Sequence, residues 1–177
     1  MLDAIKTRLA RRSALKLTER RTVRPWNPNP AARRALVVLP AEEIEAKEAW
    51  RFLNDLGIPS RQIVPVVPSS LVPYAPADFI GRVKRMDDKA LTMLGLPKPA
   101  FAGALWQTEP DLAFCLTPEF DLAAATLTGA SPAAFRIGLY AEAAEPFFDL
   151  MVAPGDSFAS TLWALHDTLA RIEPPVV

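Results

Sequence analysis

Ten basic side chains crowd into the first 34 residues, Lys6, Arg8, Arg11, Arg12, Lys16, Arg20, Arg21, Arg24, Arg33 and Arg34, against only Asp3 and Glu19. That is a net of +8. The remainder, with ten basic and eighteen acidic residues, carries −8, so a formal charge of zero hides an electrically lopsided chain. Guanidinium groups grip phosphate oxygens bidentately and stack on bases, and Trp26 adds a ring beside them. This chemistry suits RNA or a ribonucleoprotein, with Arg8, Arg11, Arg12, Arg20, Arg21 and Arg24 on phosphates and Trp26 at the edge. An anionic membrane surface competes, at about 1 kcal/mol per basic residue near the lipid, with Leu2, Ile5 and Leu9 as anchors. The apolar stripe fades after Leu9, which argues against a membrane-inserting helix. A solvated helix, or an arm folded back on the acidic remainder, is the reading without a partner.

Elsewhere the means for chemistry are sparse. His166, the only histidine, sits beside the apolar stripe of the last predicted helix, where a structural role is the commoner one. Cys115, the only cysteine, lies in an apolar run and not at a helix N-terminus, which argues against a Cys115–His166 dyad. One His and one Cys do not make a zinc site, and the carboxylates show no calcium spacing. None of the seven glycines builds a phosphate-cradling turn. No metal or cofactor is expected, and no catalytic residue is assigned. The turns after the first and fourth predicted strands are Pro40-Ala41-Glu42-Glu43 and Thr117-Pro118-Glu119, which put carboxylates where a phosphate needs positive potential. A small-molecule binder or enzyme remains a second hypothesis, using the C-terminal edge of the sheet with Thr117, Glu119, Arg136 and His166 lining a cleft. A peripheral membrane adaptor is the third.

The stretch from Asp111 to Tyr140 supplies the frame. Leu112 to Leu116 is a continuous apolar run, as in a strand covered on both faces. Thr117 can cap a helix and Pro118 begin it, with Glu119 and Asp121 in the first turn, until Gly129 and Pro132 stop it. Phe135 to Tyr140 returns as a second strand, and a crossover of this length joins parallel strands. Arg34–Leu39, Glu42–Leu56 and Gln62–Val67 repeat the pattern, Pro65 pushing its strand toward an edge or bulge. Residues 2–21 can form a helix, after which Pro25, Pro28 and Pro30 make an extended linker. Between Pro68 and Pro110 the pattern predicts one strand, Phe79–Lys84, a short helix over 87–94, and Phe101 and Trp106 anchoring an irregular segment. Phe147–Val152 reads as a last strand, antiparallel to its predecessor or displaced because its connection is short. Asp156 or Ser157 then caps a helix with Phe158, Leu162, Leu165, Leu169 and Ile172 on one face.

The leader ending RRTVRPWNPNPAARRALVVLP, the middle DDKALTMLGLPK, the block TEPDLAFCLTPEFDLAAATLTGASPAAFRIGLY and the closing FFDLMV resemble an uncharacterised bacterial family classed only as a domain of unknown function. The resemblance implies that the basic leader belongs to the protein. It carries no activity. A narrower likeness, confined to DLAFCLTPEFDLAAATLTGASPAAFRIGLY, is to the N-terminal half of heptosyltransferase-type (GT-B) glycosyltransferases, which bind their nucleotide-sugar mainly in a second Rossmann-like domain. Fold likeness alone does not transfer function. The expected architecture is a three-layer Rossmann-like α/β domain over residues 34–177, with a mostly parallel sheet of about five strands. A basic helical arm and Pro-rich linker, residues 1–33, precede it. The expected location is cytoplasmic, because no segment is apolar enough to span a bilayer and the first twenty residues are too charged for a secretory signal.

Overall fold

The computed structural model describes residues 2–27, 29 and 32–172, Leu2 and Asp3 by backbone alone. Pro28 and Pro30 of the expected linker, and the Leu2 side chain, lie outside the described residues. Six strands form one sheet: β1 (Ala35–Val38), β2 (Ile63–Val67), β3 (Lys84–Arg85), β4 (Leu112–Cys115), β5 (Phe135–Leu139) and β6 (Leu150–Val152), in the order β3-β2-β1-β4-β5-β6. Every pairing is parallel. The fold is Rossmann-like, with one strand more than expected.

Side chains alternate across this sheet with the period of two that an extended chain dictates. Val37, Ile63, Val67, Phe114, Leu116 and Ile137 face α2 (Glu43–Asp55) and α5 (Phe158–Arg171), where Phe52 meets Phe114 edge-on at 6.2 Å. Leu36, Val38, Val66, Ala113 and Cys115 face α3 (Pro99–Trp106) and α4 (Leu122–Gly129). Ser157 caps α5, its Oγ accepting from the Ser160 main-chain N–H while the Ser160 hydroxyl accepts from that of Ser157.

Contrary to expectation, the strand with Pro65 is neither an edge nor bulged: β2 is flanked by β3 and β1, and Pro65 lies in its interior. Val66 accepts from Leu39 across β1 and Val67 accepts from Met86 on the β3 side, so alternation turns the Pro65 nitrogen toward β3. β3 pairs only with Val66 and Val67. The ladder has no acceptor waiting at Pro65, and its missing N–H costs nothing there.

Four further expectations are corrected. Phe79–Lys84 is not a strand, because Ala77–Phe79 winds into a 3-10 turn that buries Phe79 against Trp50, and only Lys84–Arg85 pairs. The 87–94 helix shrinks to a 3-10 turn at Asp88–Ala90, capped by the Asp87 carboxylate, while 99–106 is helical because Pro99 stands at its start. α4 begins at Leu122, not Pro118: Asp121 is the cap, accepting from the Ala124 N–H at 2.7 Å, and Phe120 turns inward to Phe147. β6 is parallel to β5 and beside it. Its short crossover needs no helix, because Phe147 packs directly on Gly129 and Phe148 on Gly138; a Cβ at Gly138 would stand 2.2 Å from the Phe148 ring.

α1 (Leu2–Glu19) lies against α4, with Ala10 and Ala14 buried beside Leu96, Ala125 and Phe147. Residues 123–130 are consequently buried on every side, between the sheet and α1. Small side chains on both helices allow the close approach. The basic helix is thereby seated on the domain.

Candidate functional site

With Ala10, Ala14 and Thr18 buried, helical geometry turns Arg8, Arg12, Lys16 and the following Arg20 to the opposite side, and all four are exposed. Lys6 and Arg11 flank them, also exposed. None of these six forms an ion pair among the described residues. Like charges at i, i+4 destabilise an isolated helix by about 0.2–0.5 kcal/mol per pair, although Lys16, in the last turn, is favoured by the helix dipole. Among the described residues no carboxylate pairs with the stripe to offset this cost. Ile5 and Leu9, each half exposed, share this face.

The other three expected RNA-contacting residues turn inward. Arg21 donates to the Gly129 carbonyl at 3.2 Å and stands 3.8 Å from Asp149; burial, then Arg136, lowers its pKa, and Asp149 opposes them. Arg24 pairs with Glu109 at 2.9 Å, as Arg34 does at 3.0 Å, and hydrogen bonds from these two hold the Glu109 carboxyl below its ordinary range. Trp26 lies edge-on to Phe135 at 6.4 Å, with the Arg33 guanidinium 4.2 Å over its ring. These residues fasten 21–26 and 33–34 to the N-terminal edge of the sheet.

The four cleft candidates do not converge. Thr117 and Glu119 follow β4 at the C-terminal edge, where the space beside Thr117 is about 10 Å³, room for one water. Glu119 is exposed, and together with Glu42 it adds to the effect of burial in raising the pKa of Glu45. The edge is closed and acidic. Arg136 lies near the other end of β5, buried and bidentate on Asp149, with Nε to Oδ2 and Nη2 to Oδ1 both 2.7 Å. His166, half-buried on α5 across the sheet, has Nε2 3.2 Å from the Asp55 carbonyl. Among the described residues no group of three or more His, Cys, Asp or Glu side chains is arranged to hold a metal ion.

Cys115 is buried, its Sγ 3.2 Å from Thr117 Oγ1, and burial pushes the thiol up to about 11 from 9.0. A raised thiol pKa means that the folded state keeps a proton the unfolded chain has lost, so its contribution to stability is full below pH 9 and disappears by about pH 11. Stability should fall with pH across that window less steeply in Cys115→Ala than in the parent. In native protein at pH 8, labelling of Cys115 by a thiol reagent should proceed no faster than unfolding.

A larger space opens at the N-terminal edge. A cavity of about 280 Å³ lies between the C-terminal ends of α2 and α5 and the first residues of β4 and β5, lined in part by Trp26 and Arg33. Arg33 Nε donates to the Asn27 carbonyl at 3.0 Å, but Arg33 Nη2 and Trp26 Nε1 are buried donors with no partner among the described residues. Each such atom costs about 1–3 kcal/mol. Burial lowers the Arg33 pKa, and Asp111 opposes it. The sequence signal was a tryptophan and an arginine seven residues apart across a Pro-rich segment, read there as part of an arm, because nothing local shows that the two stack.

No curated protein and no solved structure matches the chain. A family model does, over residues 6–162, and the match takes in α1 from Lys6 onward, so the cationic helix lies within the family's extent. On that match the chain belongs to the family of unknown function DUF6913.

Proposed function

We propose that this is a non-enzymatic accessory protein that binds RNA, free or in a ribonucleoprotein, through the exposed cationic face of α1, and that it acts in the cytoplasm. The observation that carries the reading is the stripe Arg8, Arg12, Lys16 and Arg20, exposed, without ion pairs among the described residues, and held on a helix whose other side is packed on α4. A pre-formed helix presents its charges without an ordering cost, and the acidic remainder confines phosphate contact to that face. Contacts to phosphates give affinity with little sequence preference.

Anisotropy of a labelled single-stranded RNA tests this. Four phosphate contacts predict that log K falls against log salt with a slope of about −3. Reversing all four charges to Glu should weaken binding by at least about 100-fold while leaving the thermal midpoint close to the parent's. Salt-independent binding, or full affinity in the reversed variant, would overturn the proposal.

Ile5 and Leu9 on the same face favour a second reading, an anionic membrane surface. It predicts binding to vesicles containing phosphatidylserine that is lost in Ile5→Ser/Leu9→Ser, a change that should leave RNA affinity intact. No described helix is long and apolar enough to cross a membrane.

A further inference from the structure

The N-terminal-edge cavity lies apart from α1 and from the sheet edge where open parallel sheets usually take their ligands. Its floor is apolar, with Ile58, Leu112, Phe135 and Leu169, and it shares Asp55 and His166 with the lining of a groove of about 200 Å³ between α2 and α5. At one wall stand Trp26 and Arg33, carrying two donors that nothing among the described residues satisfies. Buried donors are almost always paired in folded proteins, so two orphans side by side at a cavity point to an acceptor that comes from outside.

We propose that this cavity binds a small amphipathic monocarboxylate, its carboxylate received by Arg33 and Trp26 and its hydrocarbon part lying on the Ile58, Leu112, Phe135 and Leu169 floor. The planar guanidinium fork matches a carboxylate, and the indole N–H adds a donor of the same polarity. Both side chains are only half-buried, so a swing of the stack brings the shielded donors to the ligand. Asp55, in the cavity lining, repels a second negative charge and selects against dicarboxylates. The space sits at the lower bound of ligand pockets and suits a chain of about eight carbons.

The test uses the full chain with octanoate, octylamine, octanol and octanedioate as probes, read by thermal shift and titration calorimetry. Octanoate should raise the midpoint saturably. Octylamine and octanedioate should not, and octanol should bind at least about 10-fold more weakly. Arg33→Met, which keeps the stem over Trp26 but removes the donors, should lose at least about 10-fold in affinity for octanoate, and Leu169→Trp should fill the cavity and abolish binding. The indole N–H resonance of Trp26, identified by its loss in Trp26→Phe, should shift on octanoate addition in the parent protein; this readout does not depend on any other variant folding. The α1 charge-reversed variant should bind octanoate as the parent does, which separates this site from RNA binding. No saturable octanoate response, an equal response to octylamine, or undiminished affinity in Arg33→Met would overturn the proposal.

Discussion

Asp149→Ala should cost about 3 kcal/mol of folding stability, at the lower end of the range for breaking a buried ion pair because the Asp149 side chain is 27% exposed. The carboxylate accepts both Nε and Nη2 of Arg136 and also its main-chain N–H at 2.8 Å, and Arg21 leans on it from the linker. Arg136 is itself only 3% exposed, and its Nη1 already lacks a partner. Removing Asp149 leaves a buried guanidinium without its carboxylate partner. The double change Arg136→Met/Asp149→Ala removes the charge with its partner and should recover at least half of the loss, because the pair's net worth is small and the penalty lies in the orphaned ion. Urea denaturation of the single and double variants measures both quantities. A single variant within about 0.5 kcal/mol of the parent would show that water reaches Arg136 in the folded protein.

Phe147→Ala should be at least as damaging, by about 3–5 kcal/mol, and should act on α1 in particular. Phe147 is 1% exposed, stands 6.1 Å from Phe120 and 6.5 Å from Phe148, and packs with Ala10, Ala14, Leu96 and Ala125. The alanines under α1 are too small to fill the space a missing ring leaves. The cavity opens beneath the helix that carries the cationic stripe, and the helix loosens before the sheet does. Limited proteolysis should therefore cleave the variant within α1, at its many Lys and Arg sites, under conditions where the parent resists. Cleavage of α1 at the parent's rate would mean that the helix is held by contacts other than this one.

Much of the fold was legible in the residues. Ala35–Val38, Leu112–Cys115 and Phe135–Leu139 are strands at or within a residue or two of where the sequence puts them: the first two are unbroken apolar runs, as a strand buried on both faces needs, and the third is interrupted only by Arg136. α5 follows its 3.6-residue stripe for the same kind of local reason, whereas Ile44, which shares the helical spacing of Ala49, Phe52 and Leu53 in α2, is exposed. α3 was missed because its eight residues, PAFAGALW, are apolar all round and show no stripe. The direction of β6 was missed because the usual rule asks a helix to make a parallel crossover, whereas here two phenylalanine rings on two glycines do that covering.

The candidate surfaces divide in the same way. Charge is additive along a chain, so the +8 of the first 34 residues, and with it the case for an anionic partner, is determined by sequence alone. Which of those charges are free is not. Arg21, Arg24 and Trp26 resemble Arg8 and Arg12 in composition and spacing, and only the tertiary structure turns them onto Asp149, Glu109 and Arg33. The seating of α1 was decided there too, since Ala10 and Ala14 give almost no hydrophobic signal and act by letting two helices come close. Periodicity, caps and charge depend on near neighbours in the chain. The fit of α1 to α4, and of Trp26 and Arg33 to a cavity walled by α2, α5, β4 and β5, depends on surfaces that meet only after the sheet has formed.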